Sequence, residues 1–144
     1  MSHLSQIRDW IATFPDYDIL SNFSVDYTDQ IPNNGGIFPA GLTEVSRVTD
    51  ILGNVTVVNQ ESFGIYIIFY KAPGDQVAAE VNQEWVADFQ QWVQEQSVTG
   101  QAPVFGDVPH TERAVATSGA LYAADDEGLA TYMVQLTINY TKRY

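Results

Sequence analysis

A Ser-His-Asp triad needs a histidine base, and this chain has two histidines, His3 and His110. His3 stands beside the chain start, and His110 sits in Val108-Pro109-His110-Thr111. Both read as solvent-exposed, one at a frayed end and one in a loop. The nucleophile elbow Gly-x-Ser-x-Gly is missing. The nearest fragment, Gln60-Glu61-Ser62-Phe63-Gly64, lacks the first glycine. With no cysteine, thiol nucleophiles, disulfides and thiolate metal ligands drop out together. Gly35-Gly36 is not followed by Gly-Lys-Ser/Thr, so it reads as a surface turn and not a phosphate loop. Carboxylates are plentiful, but Asp125-Asp126-Glu127-Gly128 lacks the alternating spacing and distal Glu of a calcium loop. It reads as a charged hairpin turn, and Asp16 and Asp18 as a solvated loop. The inventory therefore predicts no catalytic residue, no cofactor-binding residue and no metal ligand.

Charge speaks more clearly than chemistry. Eighteen acids oppose six bases in 144 residues, a net charge of −12. From Ala72 to Glu112 there is no Lys or Arg at all. Gripping DNA means neutralising phosphates with basic side chains, so specific nucleic-acid binding is not expected. An anionic membrane surface is disfavoured for the same reason. The longest apolar run, Ile65 to Tyr70, is far too short to span a bilayer, and Met1 to Trp10 lacks the pattern of a secretory signal. At 45% hydrophobic and 17% charged residues, the composition describes one ordinary globular domain over 1–144.

Periodicity supplies the elements. Leu4, Ile7, Ile11 and Phe14 recur at helical spacing, Ser2 or Ser5 can cap the run, and Pro15 ends it. A short strand candidate lies at Phe23 to Tyr27, and Ile31-Pro32-Asn33-Asn34-Gly35-Gly36 reads as a loop. Leu42, Val45 and Val48 sit in a strand-like run, with a turn at Asp50 to Asn54. Val55 to Gln60 and Phe63 to Tyr70 follow as β-branched and aromatic strands. Val77, Val81, Trp85, Phe89, Trp92 and Gln96 mark a helix from about Val77 to Ser97, stopped near Gly100. Ala114 to Ala124 then leads into a strand in which Tyr132, Val134, Leu136, Ile138 and Tyr140 share one face. Thr131, Gln135, Thr137 and Asn139 share the other. The order helix, strands, helix, strands predicts an α+β fold, an antiparallel β-sheet with two main helices packed on it.

The long helix carries a second stripe, Glu80, Glu84, Asp88, Gln91 and Glu95. Like charges at i,i+4 cost a few tenths of a kcal/mol each, and no base on this helix offsets them. The plain reading is a solvated polar face. The functional one is a surface that must not stick to what it faces. Trp85, Phe89 and Trp92 read most simply as core.

Several longer stretches resemble a family of small prophage proteins of Gram-positive bacteria, encoded among head and tail morphogenesis genes. They are Ala40 to Arg47, Asp50 to Thr56, Lys71 to Asp75, Asp88 to Ser97, Ala102 to Asp107, Leu121 to Asp125 and Ala130 to Leu136. Members carry the labels minor capsid protein, tail protein and, in some cases, chloramphenicol resistance protein. By size and element order the chain is similar to tail terminator (tail-completion) proteins of long-tailed phages. Those cap the tail tube as a hexameric ring and receive the head connector. The resemblance implies a tail-terminator-like domain that forms a homo-oligomer and meets a tail tube protein and a head–tail connector protein. It places the chain in the virion tail or neck, after assembly in the host bacterial cytoplasm, with no catalytic residues. A minor capsid or head–tail joining protein is the alternative within this class, and a small acetyltransferase the alternative outside it. The acetyltransferase needs His-x-x-x-Asp. Here His110 is followed at the fourth position by Ala114 and His3 by Ile7.

The expected ring adds two structural expectations. Its excess acid, in the α-helical stripe or in the Asp125-Asp126-Glu127 turn, faces a channel through which DNA passes. Its subunits meet through exposed sheet edges such as the strand from Thr131 to Tyr140.

Overall fold

Alternation in the last strand sets the frame. Tyr132, Val134, Leu136, Ile138 and Tyr140 are all buried, and the residues between them are not. A computed structural model describes residues 2–20, 22–26, 32–72, 74–107, 112–125 and 128–144. Its elements run α1 (His3–Ile11), a 3-10 turn (Tyr17–Ile19), β1 (Asn22–Val25), β2 (Asn34–Thr49), β3 (Val55–Tyr70), α2 (Gln76–Val98), β4 (Arg113–Ala124) and β5 (Leu129–Arg143). The five strands make one sheet in the order β1-β2-β3-β5-β4. The fold is α+β, with both helices on one face of the sheet.

Three pairings are antiparallel, but β1 joins β2 in parallel, from Asn22 opposite Asn34 to Val25 opposite Ile37. The sheet is therefore mixed at that edge. Asn34-Gly35-Gly36, expected in a loop, opens β2 instead. Glycine is used there for space: a Cβ on Gly35 would lie 3.0 Å from the ring of Phe23 on β1. The break expected between Gln60 and Phe63 is also absent. β3 runs unbroken for 16 residues, because β2 and β5 pair with it on both sides. Of the strand candidate Phe23 to Tyr27, Tyr27 lies outside the described residues.

The strand order corrects one expectation directly. β5 is not an edge; it lies between β3 and β4 and spends its backbone groups on both. The edges are β4, the short β1, and the part of β2 beyond Ile37 that β1 does not reach.

Helix α2 begins and ends on local signals. The Asp75 side chain accepts from Ala78 N–H as N-cap. At the other end Gly100 takes φ +73, and Gln101 N–H bonds back to Gln96 C=O at 2.8 Å, a Schellman closure. Its buried face is Asn82, Trp85, Val86, Phe89 and Val93. Trp85 and Phe89 are core as expected, whereas Val77 and Val81 are exposed. Val77 is 73% and Val81 59% exposed, so the apolar spacing at the start of α2 is not core. Asn82 pays for its place in the core by donating to Tyr70 C=O.

The two helices meet through aromatic rings. Trp10 stacks on Trp92 with centroids 4.9 Å apart, and Phe14 meets Phe89 and Trp85 edge-on at 5.4 Å. Indole N–H groups are satisfied at the seam: Trp10 donates to Gln96 Oε1 and Trp85 to Asp16 C=O.

Candidate functional site

His3 is where sequence reasoning and structure part most visibly. It is not frayed. It opens α1, stacks flat on Phe105 with centroids 4.0 Å apart, and bonds through Nδ1 to Glu61 Oε1. Tyr140 donates its hydroxyl to the same Glu61 oxygen at 2.9 Å. The cluster joins α1, β3, β5 and the loop after α2. Burial first, then the hydrogen bond to Glu61 and that carboxylate's charge, push the Tyr140 phenol up to about 12. Glu61 thus has both of its neighbours on one oxygen, and no serine, threonine or second acid completes a triad on His3 among the contacts seen. The arrangement clamps helix to sheet. His110 lies outside the described residues. Among the described residues no group of three His, Asp or Glu gathers to hold a metal ion.

The acidic stripe is where its spacing put it. Glu80, Glu84, Asp88, Gln91 and Glu95 are all exposed on the outer face of α2. Asp125 is exposed at the end of β4, while Asp126 and Glu127 lie outside the described residues. Between α2 and β4 runs a groove of about 530 Å³, lined by Gln90, Gln91, Gln94, Ser97 and Arg113 among others. Its side chains already serve the sheet edge. Ser97 accepts from Ala114 N–H, Gln90 donates to Ala116 C=O, and Gln83 donates to Gly119 C=O. Those bonds occupy backbone groups that an edge strand otherwise offers to a neighbour.

The sheet face opposite the helices is the unusual surface. Cross-strand partners share a face, so the registers place Gln60, Ser62, Gly64 and Tyr66 of β3 together with Met133, Gln135, Thr137 and Asn139 of β5. No described helix covers them. The strands contain only two acids, Glu44 and Glu61, and both pair with residues of the helix-covered side. In a chain of net charge −12, the described residues of the open face include no carboxylate. Its charged residues by register are Arg113, opposite Asn139, and Arg143, opposite Thr56. Phe38, Tyr66 and Tyr122 form an edge-to-face row across it, with centroids 5.2 and 5.4 Å apart. Beside Tyr66 lies a depression of about 160 Å³, lined by Ala40, Ser62, Gly64, Tyr66, Met133 and Gln135.

β2 and its turn expose a run of apolar side chains: Leu42, Val45, Val48, Ile51 and Leu52. Ile51 and Leu52 are 101% and 81% exposed, at the very tip. The turn beneath them is ordered. Asp50 Oδ1 accepts from Leu52 and Asn54 N–H at 2.9 Å, Oδ2 accepts from Asn54 Nδ2, and Gly53 takes φ +85. Those bonds hold the Asp50 carboxyl below its ordinary range. Sequence reading placed the turn correctly but gave the apolar pair in it no role. Two adjacent aliphatic side chains in a turn were the available signal.

No protein-family model matches the chain, and no curated protein matches it. Among the described residues, no helix is long and apolar enough to cross a membrane.

Proposed function

We propose that the chain is a non-catalytic assembly protein of a phage virion, a tail terminator that caps the tail tube as a ring and receives the head connector. The observation that carries the reading is the one-sided sheet. Two helices bury one face, and among the described residues the other is left open, without a carboxylate and with a row of aromatic rings, in an otherwise strongly acidic chain. The half-buried rings of Phe38 and Tyr66 and the exposed Tyr122 form an uncovered aromatic row, and aromatic residues are favoured where another protein docks. The resemblance in the sequence supplies the context: a hexameric homo-oligomer in the virion tail or neck, with tail tube and connector as partners. The exposed acid stripe on α2 suits a wall that DNA passes without adhering.

Light scattering with and without the tail tube protein tests this. A mixture of the two is expected to reach the mass of several copies of this chain on one tube end. Failure to associate, or a one-to-one complex, contradicts the reading.

A further inference from the structure

The surfaces described above contain a knob and a hole of matching character on one chain. We propose that copies of this protein associate by inserting Ile51 and Leu52, at the β2–β3 turn of one copy, into the depression beside Gly64 and Met133 on the open sheet face of the next. The inference rests on the ring reading and names the contact that closes it.

The knob is preorganised. Its two side chains are almost wholly exposed, and the turn that carries them is fixed by the three hydrogen bonds to Asp50. Little order remains to be imposed on binding. The hole is sized for it. A cavity of roughly 150 Å³ accommodates a group as large as benzene, and this depression of about 160 Å³ has room for one of the two aliphatic side chains, with the other at its mouth. Gly64 leaves the space open: a Cβ there would come within 3.3 Å of the Tyr66 ring.

Charge selects the same partner. The chain is strongly acidic, but the described residues of the open face present no carboxylate to Asp50 at the tip, and Arg113, opposite Asn139, lies four residues along the sheet from Gln135 at the hole. A copy cannot fill its own hole. Nine residues of β3 separate Val55 from Gly64, about 30 Å at 3.3 Å per residue. Knob and hole occupy different surfaces, so each copy gives one and receives one. That is the head-to-tail contact from which a ring closes.

The chain contains no cysteine, so introduced thiols report the contact cleanly. Leu52→Cys and Gln135→Cys proteins are purified separately, mixed and oxidised. The mixture is expected to give a disulfide-linked dimer in large excess over either variant alone, and the double variant a ladder of higher species. Ile51→Asp/Leu52→Asp, at positions already exposed, is expected to lose self-association while keeping the wild-type melting temperature. No mixed dimer, or Leu52→Cys pairing with itself as readily, overturns the proposal. If a multi-copy assembly keeps its mass in the double aspartate variant, the contact is wrong and the ring reading survives. If wild type stays monomeric at every concentration and no mixed dimer forms, the contact is again wrong, and the mixture with tube protein judges the ring separately.

Discussion

Tyr140 and Gly106 show how individual residues hold the far end of the sheet to the rest of the molecule. The folded state keeps the Tyr140 proton up to about 12, whereas the phenol of an unfolded chain titrates near about 10. Its stabilisation is therefore whole below the unfolded value and is lost as pH rises through the folded one. Melting curves taken across that window are expected to fall more steeply for wild type than for Tyr140→Phe; parallel curves would show that burial and Glu61 do not hold the proton on this phenol. Gly106 sits against β5, where a Cβ would lie 2.2 Å from Thr141 C=O. A backbone oxygen cannot swing aside as a flexible side chain can. Gly106→Ala is expected to cost about 1–3 kcal/mol in denaturant unfolding, the usual range for overpacking. An unchanged midpoint would mean that the loop from Ala102 to Asp107 does not press on the strand. Neither role was visible in the sequence. Glu61, His3, Phe105 and Tyr140 are scattered along the chain, and only the β3–β5 register and the placement of α1 gather them.

At the scale of elements, local pattern foretold what local forces decide. Helical spacing located α1 and α2, Gly100 marked the end of α2, and period-two alternation located β5 and its buried face. Strand order was not legible, since pairing partners lie far apart in sequence and alternation is silent about neighbours. That is why β5 read as an edge and why the exposure of Val77, Leu42 and Val48 went unseen: apolar residues at core-like spacing stay dry only if another element arrives to cover them. The acid stripe of α2 does have an elementary consequence. Glu84→Lys places a cation four residues after Glu80 and four before Asp88, replacing two like-charge pairs with two attractive ones. Each such pair contributes about 0.2–0.5 kcal/mol, so the variant is expected to melt higher at low salt, with the gain shrinking as salt is added. A lower melting temperature would contradict the solvated, unpaired state of this face. If the stripe also lines a DNA channel, the more stable variant is the less infectious one.

For the whole molecule, charge is sorted by surface: among the described residues the acids lie on helices, loops and the helix-covered side of the sheet, none on the open sheet face. On the proposed reading, a molecule so sorted repels DNA and offers its open face to protein. No gel shift of duplex DNA is expected at micromolar protein and physiological salt, where non-specific binders with phosphate contacts reach about 10⁻⁴–10⁻⁶ M; a salt-sensitive shift would count against it. Electron microscopy of the tail's head-proximal end bears most directly on the central claim. The account predicts a closed ring of copies of this chain, each with its open sheet face covered by a neighbour and with Glu80, Glu84, Asp88 and Glu95 turned towards the channel. A tail end without this chain, or copies whose open face is bare, would contradict it.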